Sequence, residues 1–396
     1  MSDLDRSGRR LPALALLCGA GILIGAAAPA PAVQALLALS APVTLAPGIR
    51  YYSFDDPVHL GGDAPISARL LEVEPEGTAL DVALGKDGTQ GRDTVGSMAA
   101  RRGAIAAVNA GFFGTTGDPA GIYKIDGLLI SESARPRAAV GFARPEGPPL
   151  LFDRVSARPR VRVGTTAINV SGIDTKRGSR EIVLYTPRYG PAARGDGAAT
   201  EWALEGTPLR VTAMASRTAN SPDAPLPVPR GGFVLSASGR PPSLSRLKRG
   251  DRVEVDFEYE AALGADANAW ARADDIIGGA GLLLRGGTAI DDWEPERLSA
   301  PGFVAARHPR TMIGRDGAGD TWLVTVDGRQ PGHSVGMTLP ELIAFARKLG
   351  LVDALNLDGG GSTTMVVKGE VVNRPSDPFG SRPVSDAIVV SSRPRG

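Results

Sequence analysis

Apolar residues recur at every second position in short runs along most of the chain. Thr78–Leu84 places Leu80, Val82 and Leu84 on one side, and Arg252–Tyr259 does the same with Val253, Val255, Phe257 and Tyr259. A period of two puts such side chains on one face of an extended chain, so each run predicts a half-buried β-strand. Ile122–Ile130 carries Asp126-Gly127 between two apolar arms, a hairpin signal because both turn positions need positive φ. Glu181–Thr186, Thr321–Val326, Val352–Leu357, Thr363–Val367 and Asp386–Val390 read as further strands.

The period changes to that of a helix over Thr338–Leu349. Leu339, Leu342, Ile343, Ala346 and Leu349 form one stripe, and Thr338 with Glu341 has the spacing of a capping box. Gly350 supplies the stop. A weaker helix is predicted over about 94–102. The fold class that follows is α+β: a β-rich single large domain with few helices. It is expected to span 61–392, behind a linker at 36–60. The less apolar stretch 174–275 marks a candidate insertion or subdomain.

The chain has 396 residues and a net charge of +1, from 44 Lys+Arg and 43 Asp+Glu. That balance supplies no field for gathering polyanions and argues against a general nucleic-acid binder. The first 35 residues change the picture of where the protein works. Arg6, Arg9 and Arg10 precede an apolar run from Leu11 to about Ala28, followed by small residues. This is the order of a signal peptide, or of a membrane anchor if uncleaved. Secretion or residence in the cell envelope is expected, with contact to a membrane only through such an anchor. Cys18, the single cysteine, lies within this segment. A cleaved protein would hold no disulfide, no thiolate nucleophile and no Cys-based zinc site.

Candidate chemistry collects in the last third. Two predicted strands open into Gly-rich turns through a carboxylate, at Asp327-Gly328-Arg329 and Asp358-Gly359-Gly360-Gly361-Ser362-Thr363. A strand, helix, strand order lets the two strands run parallel, with both aspartates at one sheet edge, where ligands gather. Three glycines let main-chain N–H groups converge on an anion, and Ser362 and Thr363 add hydroxyls. A lone Gly-Gly-Gly is more often a tight turn, and there is no Lys nearby to make it a P-loop. Arg307-His308-Pro309-Arg310-Thr311 offers two guanidinium forks suited to phosphate or carboxylate, although such a segment alone is more often a solvated loop. Asn109, ahead of Gly111-Phe112-Phe113, is either a turn-satisfying side chain or a ligand contact. No zinc pattern and no Gly-x-Ser-x-Gly elbow occurs. His333 reads as a loop histidine. No cofactor is required, although Asp327 and Asp358 could instead bind a divalent cation such as Ca²⁺ or Mg²⁺.

Taken in order, several of these segments resemble the phosphodiester glycosidase family. They are Asn109-Ala110-Gly111-Phe112-Phe113, Arg307–Thr311, Val326–Arg329, Gly336–Leu342, Asn356–Thr363, Asn373–Asp377 and Arg382-Pro383-Val384. The family's Asn-Gly-Gly-Phe-Phe has Ala110 in place of its first Gly, and Gly278-Gly279-Ala280-Gly281-Leu282 lacks an expected Pro. The resemblance implies a glycosidase that hydrolyses a sugar-1-phosphodiester of the N-acetylglucosamine-1-phosphodiester kind to free sugar and phosphomonoester. It implies Asp358 nearest the reacting centre with Asp327 in support. Asn109, Arg307, Arg310, Arg329, Gly359, Gly360, Gly361, Ser362, Thr363, Asn373 and Arg382 would then bind the glycosyl phosphodiester. A non-catalytic binder of anionic cell-envelope glycopolymers and a metal-dependent phosphodiesterase are the rival expectations.

Overall fold

A computed structural model describes residues 41–56, 64–142, 150–190, 197–218, 224–298 and 301–393. The predicted signal segment lies outside them. Among the described residues there are four α-helices against 25 strands, and no helix is long and apolar enough to cross a membrane.

The site is carried by an eight-stranded antiparallel sheet. Its strands run in the order Val43–Ala46, Ile49–Asp56, Ile66–Val73, Thr321–Val326, Arg310–Asp316, Leu351–Asn356, Leu282–Arg285 and Thr288–Ala289. Alternation splits each central strand between two cores. Leu71, Ile313, Leu323 and Leu355 face one cluster. Leu70, Met312, Val324 and Ala354 face the other, beneath the helix Leu339–Lys348 with its Leu342 and Phe345. Thr338 caps that helix, accepting from the Glu341 N–H at 3.2 Å while the Glu341 carboxylate accepts from the Thr338 N–H at 2.8 Å. The capping box predicted from spacing is therefore formed.

A five-stranded sheet holding Thr78–Leu84, Ala106–Asn109, Met365–Val367 and Asp386–Ser392 packs on the first core. The helix Val95–Arg101 covers its other side. A seven-stranded sheet, including Ser133–Phe142 and Leu150–Val163, completes the same core. The Asp126-Gly127 hairpin is formed, with φ of 50° and 79°.

Two boundaries differ from expectation. Residues 43–56, expected as linker, are two strands, and Ile49–Asp56 pairs along its length with Ile66–Val73. Ile49 faces one core while Tyr52 and Phe54 face the other. Ser53 and Asp55 are exposed, so only the first half of the strand is buried on both faces, and the alternation that remains is too short to stand out in the sequence. The stretch 174–275 divides. Strands from Gly172 to Ser238 form a separate five-stranded sheet around Trp202, Leu204 and Leu235. Glu254–Ala261 and Asp275–Gly278 belong to the seven-stranded sheet instead.

Asp275 is a buried carboxylate whose Oδ1 accepts from the Asp126 N–H at 2.8 Å. Burial, with Asp81, Asp126 and Asp274 nearby, pushes its pKa up to about 7. A raised folded-state pKa gives stability that is full below the unfolded value and lost as pH rises through about 7. Asp275→Asn keeps the acceptor without the charge. Melting curves should show it more stable than wild type at pH 8 and equal to it near pH 4.

Candidate active site

Thr321–Val326 and Leu351–Asn356 both pair antiparallel with Arg310–Asp316, one on each side. They are therefore parallel to each other, and Asp327 and Asp358 leave the sheet at the same edge. The segment His308-Pro309 enters the central strand between them. A Cβ on Gly328 would lie 2.6 Å from the Pro309 nitrogen. One on Gly336 would lie 2.3 Å from the His308 carbonyl oxygen, and one on Gly359 would lie 2.5 Å from that of Pro309. No side chain fits at those approaches, so these glycines let three chain segments close on one another at the strand ends.

Asp358 is held by its main chain. Its N–H donates to the Ala110 carbonyl at 2.8 Å, and its carbonyl accepts from Asn109 Nδ2 at 2.7 Å. Its Oδ1 accepts from the Gly359 N–H at 3.0 Å. The side chain is half-buried and still reachable from solvent. Burial pushes its pKa up to about 6, reinforced by Asp386 and opposed by the Ser362 hydroxyl, the Gly359 N–H and Arg382. Behind it Asp386 is fully enclosed, accepting from the Gly111 N–H at 2.7 Å and from the Ser385 hydroxyl, and its carboxyl is also raised by burial. The Tyr123 hydroxyl fills the space where a Gly111 side chain would begin, 1.6 Å from an added Cβ. Sequence reading missed Asp386 and Tyr123. The available signal was a carboxylate at the first position of an otherwise apolar strand.

Two guanidiniums face the Gly-rich turn. Arg329 is exposed, has φ of +58° and pairs with no carboxylate among the described residues. Its nitrogens lie 3.1 and 3.2 Å from where a Gly360 Cβ would be, and Gly360 itself has φ of +62°. Arg382 lies against Gly361 in the same way and forms a two-pronged ion pair with Asp377, at 2.6 and 2.9 Å. Side chains at 360 or 361 would displace both cations.

Several predicted site residues instead build the frame. Asp327 is 2% exposed and accepts from Asn373 Nδ2 at 2.9 Å, from the Arg374 N–H at 3.0 and 3.1 Å, and sits 2.9 Å from His333 Nε2. Its strand lies two strand spacings from that of Asp358, roughly 9–10 Å between the main chains. With its oxygens engaged by N–H groups Asp327 offers little to a cation. A trio of carboxylates close enough to share one, Glu72, Asp316 and Asp320, lies at the opposite edge of the sheet. Asn109 accepts from Thr311 Oγ1 and the Thr364 N–H, so it is a clamp and not a ligand contact. Asn373 is likewise sealed between Asp327, the Thr363 carbonyl and the Met365 N–H. Thr363 is 1% exposed. Arg307 grips Glu341 through Nε and Nη2, tying its segment to the capped helix.

Arg310 is 2% exposed, and its Nε and Nη2 donate to the carbonyls of Met337, Phe303 and Ala306. Burial, with Arg329 nearby, lowers its pKa to about 10. This guanidinium is a brace. Arg310→Lys cannot reproduce three carbonyl contacts. It should lower the melting temperature and reduce turnover of charged and uncharged substrates alike, which parallel assays would read.

The turn is also less of an N–H cradle than its sequence implies. The Gly359, Gly360 and Ser362 N–H groups donate to Asp358 Oδ1, the Pro309 carbonyl and the Gly359 carbonyl. Ser362 is 1% exposed and reaches a ligand only through Asp358. The Ala110 methyl packs in the core shared by the three large sheets, away from the solvent side of Asp358.

Residues 201–391 match the family model described as phosphodiester glycosidase. A mouse N-acetylglucosamine-1-phosphodiester alpha-N-acetylglucosaminidase is 30% identical over 155 residues, covering 37% of this chain and 29% of the relative. The human protein of that name is 41% identical over 75 residues, covering 19% and 14%. The chain thus spans less than a third of the length of these relatives. A solved structure from Synechocystis superposes with a TM-score of 0.74 at 23% identity, covering 89% of this chain and 63% of that one. One from Burkholderia pseudomallei K96243 superposes at 0.68 and 25%, covering 84% and 75%. The matched region, just under half of this chain, holds Arg329, Asp358 and Arg382, and over it the chain is similar to the phosphodiester glycosidase family.

Proposed function

We propose that the protein is an exported glycosidase that hydrolyses a glycosyl 1-phosphodiester to free sugar and phosphomonoester. The observation that carries this reading is a reachable carboxylate, its pKa pushed up to about 6 by burial, set beside two guanidiniums at one Gly-rich turn. A group of that pKa is mostly ionised at neutral pH and well matched to take a proton from water. Water then adds at C1 as the C1–O bond breaks. The phosphate leaves with the electron pair, facing Arg329 and Arg382, and needs less protonation than an alcohol would. The mouse and human relatives carry a name for this reaction class. Export rests on the order of charged, apolar and small residues over 1–35.

The test is incubation with an N-acetylglucosamine 1-phosphodiester in ¹⁸O-labelled water. Free sugar carrying the label is expected. Label in the phosphomonoester instead means attack at phosphorus, and no turnover despite binding means a glycopolymer-binding protein. Loss of activity with a chelator, restored by Mg²⁺ or Ca²⁺, would favour a metal-dependent phosphodiesterase. N-terminal sequencing of secreted material is expected to begin near Val33–Leu36.

A further inference from the structure

Arg329 presents a puzzle. It is an exposed guanidinium on a left-handed backbone, with no carboxylate partner among the described residues, yet it lies flat against Gly360. A long side chain of this kind ordinarily samples many rotamers, and fixing it costs conformational entropy. Something must hold it. The contact that does so is His308 Nδ1, 3.1 Å from Arg329 Nη2.

His308 is itself fixed on three sides. Its N–H donates to the Met337 carbonyl at 3.2 Å, and its carbonyl accepts from the Met337 N–H at 3.0 Å. Its other ring nitrogen, Nε2, lies 2.6 Å from the Gly302 carbonyl oxygen. A carbonyl only accepts, so Nε2 carries the proton. In the neutral ring Nδ1 is then an acceptor. An arginine only donates. The two contacts therefore agree on one tautomer, and the main chain of Gly302 sets the lone pair that receives Arg329. The approach is possible because Gly336 has no side chain where it passes the His308 carbonyl, 2.3 Å from its would-be Cβ.

We propose that His308 is a positioning residue for anion recognition. Its Nδ1 lone pair holds the Arg329 guanidinium over Gly360, so that the remaining N–H groups face a phosphate beside Asp358. This rests on the glycosyl phosphodiester reading for its substrate, but its core claim concerns phosphate binding alone.

The experiment uses the full protein and inorganic phosphate as probe, followed by calorimetry. His308→Gln removes the acceptor at the δ position, whereas His308→Asn keeps an oxygen there. A hydrogen bond donated by a charged guanidinium is worth about 1.5–3 kcal/mol, so His308→Gln should weaken phosphate binding by roughly 10- to 150-fold. His308→Asn should restore most of it. In a cycle with Arg329→Lys, the double variant should bind no more weakly than Arg329→Lys alone, because the histidine acts through the arginine. KM for the phosphodiester should rise in His308→Gln with kcat little changed, and KM for an uncharged aryl glycoside should stay constant. A merely structural histidine would lower the melting temperature and move both substrates together. Equal phosphate affinity in wild type and His308→Gln, additive losses in the cycle, or no phosphate binding by wild type would each overturn the proposal. His308-dependent phosphate binding without hydrolysis of either substrate would uphold it and overturn the glycosidase reading instead.

Discussion

Asp358→Asn should abolish turnover and make the protein more stable. The change removes the proton acceptor from the site while keeping an oxygen for the Gly359 N–H. General acid–base groups contribute about 10²–10⁴-fold in rate, and a loss of that size is expected in kcat. The stability effect has the opposite sign. Burial raises the carboxyl to about 6, so the ionised form is disfavoured in the folded protein. The stability associated with a protonated Asp358 is full below the unfolded value and is lost as pH rises through about 6. At pH 7.5 the wild type therefore carries a penalty on the order of 3 kcal/mol that asparagine lacks. Thermal melts at pH 7.5 should show Asp358→Asn above wild type by several degrees, with the gap closing near pH 4. A site that works against its own fold is a common mark of function. Activity within a few-fold of wild type would remove Asp358 from the mechanism. Lost activity with a lowered melting temperature would reassign it to the frame, beside Asn109.

How much of this could be read from the chain depends on what each residue faces. Strands with one buried face and one polar face, such as Arg252–Tyr259, show their alternation, and Asp126-Gly127 shows its turn. Ile49–Asp56 shows alternation only over Tyr52–Asp55, because Ile49 and Tyr51 pack on one core while Tyr52 and Phe54 pack on the other. The parallel relation of Asp327 and Asp358 followed from connectivity, since a helix returns the chain across the sheet. What spacing could not separate was a charged residue that greets a ligand from one that braces the site. Arg310 and Arg329 look equivalent in sequence, each at the end of a strand beside a bend. Arg310 enters the sheet and meets three carbonyls. Arg329 follows a glycine on a left-handed backbone and turns out over Gly360. Asp327 and Asp358 differ in the same way. The first is consumed by Asn373, Arg374 and His333, whose approach from distant chain positions no local pattern encodes. Asp386 was overlooked because a charged residue opening a buried strand reads as a boundary.

Arg329→Lys should then be the variant that separates a phosphodiester enzyme from an ordinary glycosidase. The charge is retained, but Lys is a point donor that cannot lie along Gly360, reach His308 Nδ1 and offer a planar fork at once. Losing one charge-assisted hydrogen bond costs about 1.5–3 kcal/mol, so kcat/KM for a glycosyl phosphodiester should fall roughly 10- to 150-fold. An aryl glycoside of the same sugar presents no phosphate oxygens and should lose far less. The ratio of the two losses measures how much of the effect belongs to the phosphate. Arg382 serves as the internal comparison, because its pairing with Asp377 already satisfies one side of its fork. Arg382→Lys is expected to discriminate between the substrates less sharply. Equal losses on both substrates in Arg329→Lys would place that guanidinium on the sugar or the fold. A wild type that prefers the aryl glycoside would make the phosphodiester assignment wrong at its root, because an exposed cation held beside a reachable carboxylate would then have no anion to meet.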